Sequence, residues 1–307
     1  MKIAVVGTGA IGGYYGAMLS KAGNEVHFLL RSDYDHVREN GLKVYSESGD
    51  LHLKSVNAWN DVSIMPKCDL VVITIKATLN HLLSELLPPL CDDNTIVLVL
   101  QNGLDVDQEV AQAAPNNTIL GGLCAIACNK IGPGEIQHIA YNRINMGQYL
   151  EGEQAGITPQ LKKISDIFDQ AGIPVKMFDD ITETRWRKLV WNMTFNGLTT
   201  ILNCNTREIM DNPGTRNLAE SLMKEVITTA NANGINIEDS YSQEMIELTD
   251  NMGPYLPSMK LDFDAGRELE LEVIYERPLI KAKQKGIEAP NLEFLYTQLE
   301  FMVAKRN

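Results

Sequence analysis

The feature that most constrains the fold is a glycine-rich turn close to the start of the sequence. Gly7-Thr8-Gly9-Ala10-Ile11-Gly12 matches the pattern G-x-G-x-x-G, directly after the apolar segment Lys2–Val6 and directly before a helical pattern. In this context Gly7 permits a tight turn, Gly9 lets the backbone approach a pyrophosphate, and Gly12 permits close helix packing. The sequence therefore predicts a dinucleotide-binding unit in which residues 7–12 and the N–H groups of the following helix hold phosphates.

Strand and helix signals alternate through the first half of the chain. Predicted strands are Lys2–Val6, Glu25–Leu30, Asp69–Ile75, Thr95–Leu100 and Val175–Phe178, and predicted helices are Ala10–Ala22, Asp33–Asn40, Leu79–Leu87 and Thr158–Ala171. Leu42–Leu53 could form a hairpin arm, and residues 118–149 are rich in strand signals, with turns expected at Gly132-Pro133-Gly134 and around Asn142. We expect Pro88-Pro89 to end the third helix. Such alternation is typical of a doubly wound α/β domain with a parallel sheet.

The second half of the chain reads as helical. Patterns of helical spacing cover residues 183–202, 217–233, 243–249 and 268–286, and strand signals nearly vanish. We therefore predict an α/β domain over residues 1–179 and an all-α domain over residues 180–307.

Cofactor choice is read from the residues after the second predicted strand. Binders of NAD usually carry an acid there for the ribose 2′-hydroxyl, whereas this chain has Leu30-Arg31-Ser32. A guanidinium pairs well with a 2′-phosphate, so Arg31 favours NADP(H), although Asp33 argues in the opposite direction. Lys76 and Asn102-Gly103 follow two further strands, at the edge of the sheet where ligands of α/β folds bind. They are candidates for contacts with cofactor or substrate.

One predicted helix of the second half carries a polar stripe. Lys188, Asn192 and Asn196 are spaced four residues apart, on a helix that is otherwise apolar almost all round. Asparagine is a mediocre helix former, and buried amides need partners, so the stripe is expected to face a cavity. The histidines all precede this half of the chain, at positions 27, 36, 52, 81 and 138, which leaves Lys188 as the candidate general acid. Further along, Ser258 could bind a carboxylate, whereas a solvated acidic helix face is favoured for Glu268, Glu270 and Glu272.

Composition limits the classes of partner. The chain has 307 residues and a net charge of −13, which argues against a nucleic-acid partner. The apolar stretches are too short to span a membrane, and the segment after Met1-Lys2 is too short for a signal peptide. The five scattered cysteines show no metal-ligand spacing, so no metal site is expected. We expect reduced thiols and a cytoplasmic location. A homodimer is compatible with the sequence, although no decisive apolar stripe predicts one.

Taken together, these motifs resemble the ketopantoate reductase (2-dehydropantoate 2-reductase) family over nearly the whole chain. The matching positions are Gly7–Gly12, Arg31, Lys76, Asn102-Gly103, Trp186, Lys188, Leu189, Asn192, Asn196, Leu198-Thr199, Ser258-Met259, Gly266-Arg267 and Glu270. The resemblance implies a helical domain like the C-terminal domain of 6-phosphogluconate dehydrogenase. It also implies that NADPH reduces the C2 ketone of 2-dehydropantoate to (R)-pantoate, for pantothenate synthesis.

The same resemblance implies roles for individual residues. Lys188 would donate a proton to the ketone oxygen, and Asn192, Asn196 and Ser258 would bind the substrate. Asn102 would contact both cofactor and substrate, and Glu270, the second catalytic candidate, would lie by the nicotinamide ribose and the substrate. Two positions depart from the family pattern: a substrate asparagine falls on Thr206, and a small residue whose backbone contacts the cofactor falls on Cys128.

Two other functions stay open at this point. One is a related NADP-dependent reductase of another 2-oxo or β-hydroxy acid, which the departure at Thr206 leaves in play. The other is a non-catalytic NADP sensor, which would keep Gly7–Gly12 and Arg31 but would not need Lys188 and Glu270.

Overall fold

A computed structural model describes residues 1–306, and the chain divides into two compact units. The first holds residues 1–101 and 106–181, and the second holds Asn102–Asp105 together with the residues from Thr182 onward. A single cut at residue 179 does not describe this division, because four residues that follow a strand of the first unit group with the helical unit.

The first unit is built from strands and helices in alternation. Its strands are β1 (Lys2–Val6), β2 (Glu25–Leu29), β3 (Leu42–Ser46), β4 (Leu51–Leu53), β5 (Asn57–Trp59), β6 (Leu70–Ile73), β7 (Ile96–Val99), β8 (Thr118–Gly132), β9 (Glu135–Leu150), β10 (Glu153–Gln154) and β11 (Val175–Met177). Its helices are α1 (Ala10–Lys21), α2 (Tyr34–Asn40), α3 (Leu83–Leu90), α4 (Val106–Ala113) and α5 (Pro159–Gln170), with 3₁₀ turns at Val62–Ile64 and Ala77–Leu82.

The strands form one curled sheet in the order β4-β3-β9-β8-β7-β6-β1-β2-β5. The pairs from β5 through β2, β1, β6 and β7 to β8 are parallel, whereas β8 and β9 form a long antiparallel hairpin. Every residue of β6 and β7 is buried, as expected for parallel strands covered on both faces. The predicted Rossmann-type α/β class is confirmed.

Helix α1 lies inside the curl of the sheet, where it contacts β2 on one side and β3, β8 and β9 on the other. Two glycines make this possible: a Cβ on Gly13 would lie 1.9 Å from Ile136 Cδ1, and one on Gly16 would lie 2.4 Å from Phe28 Cε1. The turn motif predicts the glycines at positions 7, 9 and 12, but it does not predict this second pair, whose packing partners come from distant strands.

Three local predictions are wrong. Pro88 and Pro89 lie inside α3 and do not end it; the carbonyls of Ser84 and Glu85, whose partners they remove, belong to exposed residues open to water. No turn occurs around Asn142, because β9 continues there through an irregular register opposite β8, with Tyr141 at φ 58°.

The third concerns the predicted helix over residues 268–286. Residues 267–270 are not helical, and the helical run that follows begins with a π-helical segment, Glu272–Glu276. A π-helical turn inside a helical run often marks a functional site.

The second unit is all-α, as predicted for its class. Besides the π-helical segment, its helices are α6 (Ile181–Leu202), α7 (Thr206–Asp211), α8 (Pro213–Ala232), α9 (Tyr241–Met252), α10 (Ser258–Asp264), α11 (Arg277–Gln284) and α12 (Pro290–Arg306). Helix α6 is buried along most of its length, and the buried Tyr275 hydroxyl donates to the Met193 carbonyl at 2.6 Å. Across residues 1–306, no helix is both long and apolar enough to cross a membrane.

Candidate active site

The glycine-rich turn is shaped by packing at its two ends. Gly7 has φ 100°, a conformation that favours glycine, and its carbonyl accepts the Thr74 hydroxyl at 2.5 Å. A Cβ on Gly12 would lie 2.2 Å from the Gly7 carbonyl oxygen, so only glycine fits there. Thr8, between them, donates its hydroxyl to the Leu29 carbonyl at 3.0 Å and joins the turn to the end of β2.

Gly9 differs from its neighbours. Its φ of −84° suits any residue, and a Cβ at this position would meet nothing within 4 Å. Protein packing therefore does not explain a glycine here. Gly9 caps α1, and Ala10 and Ile11 open its first turn, so the open space faces N–H groups that favour an anion. These residues fit a dinucleotide pyrophosphate.

The end of β2 carries one exposed cation and one sequestered acid. Arg31 is exposed. Asp33 is only 6% exposed, and Oδ2 accepts from the Gly134 N–H at 3.0 Å and pairs with Lys130 Nζ at 2.6 Å. Ser32 donates its hydroxyl to Oδ1 at 3.0 Å. Burial by itself raises the pKa of Asp33, but Lys130, Gly134 and Ser32 outweigh it and lower the pKa below its ordinary value. Asp33 is therefore ionised and committed to protein partners.

Two other predicted cofactor residues also lie in the first unit. Cys128 is half-buried on β8, with its Sγ 3.5 Å from the Ala10 carbonyl, and burial raises the pKa of the thiol to about 12. It is a neutral side chain beside the start of α1. Lys76 caps the 3₁₀ turn after β6. The residue before it is held by Gln101, whose Nε2 donates to the Ile75 carbonyl at 2.9 Å and to Asn80 Oδ1 at 2.6 Å.

The centre of the second unit's site is a bond between two predicted residues far apart in sequence. Lys188 Nζ donates to Asn102 Oδ1 at 2.8 Å, across a separation of 86 residues. Lys188 is half-buried on α6, and Asn102 opens the segment 102–105 that groups with the helices. A cation on a rigid helix, oriented by an amide oxygen, is suited to donate a proton to a bound oxygen atom.

Further contacts hold the segment 102–105 against the helices. The buried Arg185 donates from Nη1 to the Gly103 carbonyl at 3.2 Å, and the Leu104 N–H donates to the Val273 carbonyl at 2.8 Å. Gly103 has φ 91°, and a Cβ there would lie 2.5 Å from Val273 Cβ. Arg185 was not among the residues predicted for the site. The available signal was its spacing of three residues from Lys188, which places both on one face of the helix.

The rest of the α6 stripe is buried. Asn192 is 8% exposed and Asn196 is 1% exposed. The Asn196 Nδ2 atom has no hydrogen-bond partner within the described chain. A buried amide without a partner costs free energy, which is recovered where a bound molecule supplies an acceptor. The stripe therefore fits a polar ligand.

Thr206 occupies a different environment. It is fully buried, its hydroxyl donates to the Gly253 carbonyl at 3.3 Å, and its Oγ1 accepts from the Tyr255 N–H at 3.1 Å. This geometry joins α7 to the loop before α10. The predicted role of Thr206 in substrate binding stays a prediction, and its contacts favour a structural role.

Ser258 and Glu270 flank the last candidate cluster. Ser258 is exposed at the first residue of α10. Glu270 is 6% exposed, whereas Glu268 and Glu272 are exposed, so the expected solvated acidic face is wrong for Glu270. Its carbonyl accepts from the Ile274 N–H at 3.2 Å, and Glu270 lies two residues before the π-helical segment. Composition alone could not separate three glutamates at alternate positions, because only the packed backbone decides which one points inward.

Fold and site together define a two-domain oxidoreductase that acts on a CH–OH group. Residues 3–151 match the family described as ketopantoate reductase PanE/ApbA, and residues 180–303 match its C-terminal domain. The chain is 50% identical over 302 residues to a 2-dehydropantoate 2-reductase of Nostoc sp., covering 98% of this chain and 95% of that protein.

Solved structures of other proteins have the same fold as this chain. A 2-dehydropantoate 2-reductase from Geobacter metallireducens superposes with a TM-score of 0.92 at 39% identity, over 98% of this chain and 99% of that one. A D-mandelate dehydrogenase with NADH and anilino(oxo)acetate has the same fold, with a TM-score of 0.89 at 24% identity over the full length of both chains. The chain belongs to the ketopantoate reductase family, which confirms the resemblance drawn from the sequence.

Proposed function

We propose that this protein uses NADPH to reduce the C2 ketone of 2-dehydropantoate to (R)-pantoate, a step in pantothenate synthesis. The observation that carries the proposal is the polar stripe of α6, where Lys188 is held by Asn102 at 2.8 Å and the buried Asn196 has an unpaired Nδ2. The relative from Nostoc named for this reaction supports the choice of substrate.

The chemistry assigned to the side chains follows from charge. The reduced nicotinamide, when bound, would supply the hydride for C2, and negative charge would develop on the ketone oxygen. Lys188 donates a proton to that oxygen, and its ammonium stabilises the charge until the proton moves. Asn102 accepts a hydrogen bond from Lys188 Nζ and so fixes the direction of the donor.

Cofactor binding is assigned to the turn Gly7–Gly12, to Arg31 and to Lys76. The open space at Gly9 supports a pyrophosphate against the backbone, and the exposed Arg31 supports a 2′-phosphate, hence NADPH in preference to NADH. Cys128 contributes its backbone, and the proposed contacts of Asn102 and Glu270 with the nicotinamide end rest on the family resemblance.

Substrate binding is assigned to Asn192, Asn196 and Ser258, which would bind hydroxyl and carboxylate groups. An amide such as Asn196 Nδ2 suits a carboxylate or hydroxyl oxygen, since it offers donors that are already desolvated. A serine hydroxyl at a helix start, like that of Ser258, can donate to an anion.

A second candidate is the reduction of another 2-oxo or β-hydroxy acid by the same residues. The observation that favours it is Thr206, which takes the place of a family asparagine and commits its hydroxyl to Gly253 and Tyr255. One contact expected for 2-dehydropantoate would then be absent.

The deciding experiment follows NADPH oxidation with 2-dehydropantoate beside a panel of other 2-oxo acids. Activity on 2-dehydropantoate should exceed that on each other acid by at least about a hundredfold in kcat/KM, the discrimination that matched polar contacts can provide. A better substrate elsewhere in the panel would shift the assignment to the second candidate. Tight NADPH binding without turnover of any acid would favour a sensor.

Two further points stay predictions. The five cysteines are free thiols, in keeping with the proposed cytoplasmic location. Association into a homodimer would be read from the mass of the particle in solution.

A further inference from the structure

An acid near the end of β2 normally argues for NAD, and Asp33 is such an acid. In dinucleotide-binding folds a carboxylate at this point of the chain accepts a hydrogen bond from the ribose 2′-hydroxyl and repels a 2′-phosphate. Asp33 is ionised but turned to protein partners, with Lys130 Nζ at 2.6 Å and the Gly134 N–H at 3.0 Å. The chain therefore has the acid typical of an NAD site, but the charge of this carboxylate is balanced by Lys130.

Lys130 comes from β8, a strand that does not neighbour β2 in the sheet order. It lies near the end of β8, close to the turn into β9, and is 97 residues from Asp33 in sequence. The Lys130 side chain remains 34% exposed, and the ion pair occupies one of the three protons of its ammonium. It is a cation held in place by one partner and still open to water.

The ion pair borders a concavity next to the dinucleotide turn. Thr8, Leu30, Asp33, Lys130 and Gly134 all lie around this small space. Thr8 belongs to the glycine-rich turn and Leu30 follows β2, so the ion pair lies next to the part of the fold that binds the ribose beside the pyrophosphate.

We propose that the Asp33–Lys130 pair is a specificity element of the dinucleotide site, in which Lys130 neutralises Asp33 and adds a second cation to Arg31 for a 2′-phosphate. This role rests on the proposed use of NADPH. Without Lys130, the charges of Arg31 and Asp33 would cancel. With Lys130, the three side chains present a net charge of about +1 to the phosphate.

The test measures dissociation constants of NADPH and NADH for the whole protein by titration at one ionic strength. Lys130→Met should raise the Kd of NADPH by roughly ten- to hundredfold, the range for one hydrogen bond to a charged group. The Kd of NADH should move by less than about threefold, as for a surface change. Arg31→Ala serves as the benchmark for a direct 2′-phosphate contact.

Lys224→Met is the matched control, since it removes a lysine that pairs with Glu220 at 2.6 Å on α8 and changes the net charge equally. It should leave the ratio of the two constants unchanged. The double variant Asp33→Asn/Lys130→Met should regain part of the NADPH affinity, because the unpaired carboxylate is gone.

If Lys130→Met raises the Kd of NADPH and of NADH by the same factor, the proposal is overturned, because the ion pair would then support only the fold. An unchanged ratio would overturn it as well. If Lys130→Met does not fold, the double variant decides: its NADPH preference should fall below that of the wild type, and an equal preference contradicts the role of Lys130. A wild-type protein that binds NADH as tightly as NADPH would instead refute the proposed cofactor, which keeps the two failures distinct.

Discussion

The glycine-rich turn and the stripe on α6 are built in opposite ways. The turn presents backbone N–H groups to the ligand, and Gly7, Gly9 and Gly12 contribute by having no side chain. The stripe presents side chains, and its central bond joins Lys188 to Asn102 across 86 residues. A backbone site of this kind is encoded by consecutive residues, whereas a side-chain site depends on where distant parts of the chain pack.

The comparison predicts different responses to substitution. Changes in the turn should act on cofactor affinity and on packing, since its atoms are shared between the ligand and the fold. Changes in the stripe should act on turnover and leave cofactor affinity unchanged, since its polar atoms serve the bound substrate. Three experiments test this contrast, in order of decreasing effect.

The largest effect is expected for Lys188→Ala. Loss of the proton donor should lower turnover roughly a hundred- to ten-thousandfold, the usual contribution of general acid catalysis. The Kd of NADPH should stay within about threefold of the wild type, as for a residue outside the cofactor contacts. Steady-state kinetics and cofactor titration of the same preparation measure both quantities.

Arg187→Ala is the control for that experiment. Arg187 neighbours Lys188 on α6 but pairs with Glu183 at 2.7 Å and Glu238 at 3.3 Å. Its removal also deletes a cation from the helix, and turnover should change by less than about threefold. If both variants lose activity equally, the helix as a whole is at issue and Lys188 is not the acid.

The same contrast explains how much could be predicted from the sequence. Consecutive residues and local periodicity encode the dinucleotide turn, the α/β class and the helical second half, so all three could be predicted. The stripe was also visible, since a helix brings residues four apart together. Arg185, the Gly13–Gly16 pair and the ion pair of Asp33 were missed, because each depends on a partner from a distant element.

Two of the wrong predictions, at Pro88-Pro89 and at Asn142, relied on a local residue preference. Pro88-Pro89 usually ends a helix, but the carbonyls left without partners at Ser84 and Glu85 belong to exposed residues. Asn142 suggested a turn, but pairing along the β8–β9 hairpin carries the strand past it as an irregularity. Exposure to water removes the penalty in the first case and strand pairing decides the second, so neither local preference fixes the structure.

The second test compares Gly9→Ala with Gly12→Ala. At Gly9 a Cβ meets nothing within 4 Å, so the free energy of unfolding should fall by less than about 1 kcal/mol, the scale of a cap exchange. The Kd of NADPH should rise by about tenfold or more, because a methyl group occupies the space assigned to the pyrophosphate.

For Gly12→Ala we expect the larger effect on stability and the smaller one on NADPH affinity. The new Cβ would lie 2.2 Å from the Gly7 carbonyl oxygen, so the protein should lose about 1–3 kcal/mol of stability, as overpacked sites do. Denaturant unfolding and cofactor titration of both variants separate the two outcomes. If Gly9→Ala binds NADPH normally, the backbone at that residue is not the pyrophosphate site.

The smallest effect is expected for Asn196→Leu, where function and stability should move in opposite directions. Leucine has the same number and branching of side-chain heavy atoms and removes the buried Nδ2 that lacks a partner, so stability should be unchanged or rise by up to about 1 kcal/mol. The value of kcat/KM should fall by about tenfold, the loss of one substrate hydrogen bond.

Thr194→Val gives the matched contrast on the same helix. The Thr194 hydroxyl is equally buried but donates to the Val190 carbonyl at 2.9 Å, so its loss should cost about 1 kcal/mol of stability and leave kcat/KM unchanged. A polar group that is satisfied by the fold supports the fold, whereas one left unsatisfied is kept for a ligand. If Asn196→Leu instead lowers stability and preserves activity, the amide is structural, and the substrate must be bound by the rest of the stripe.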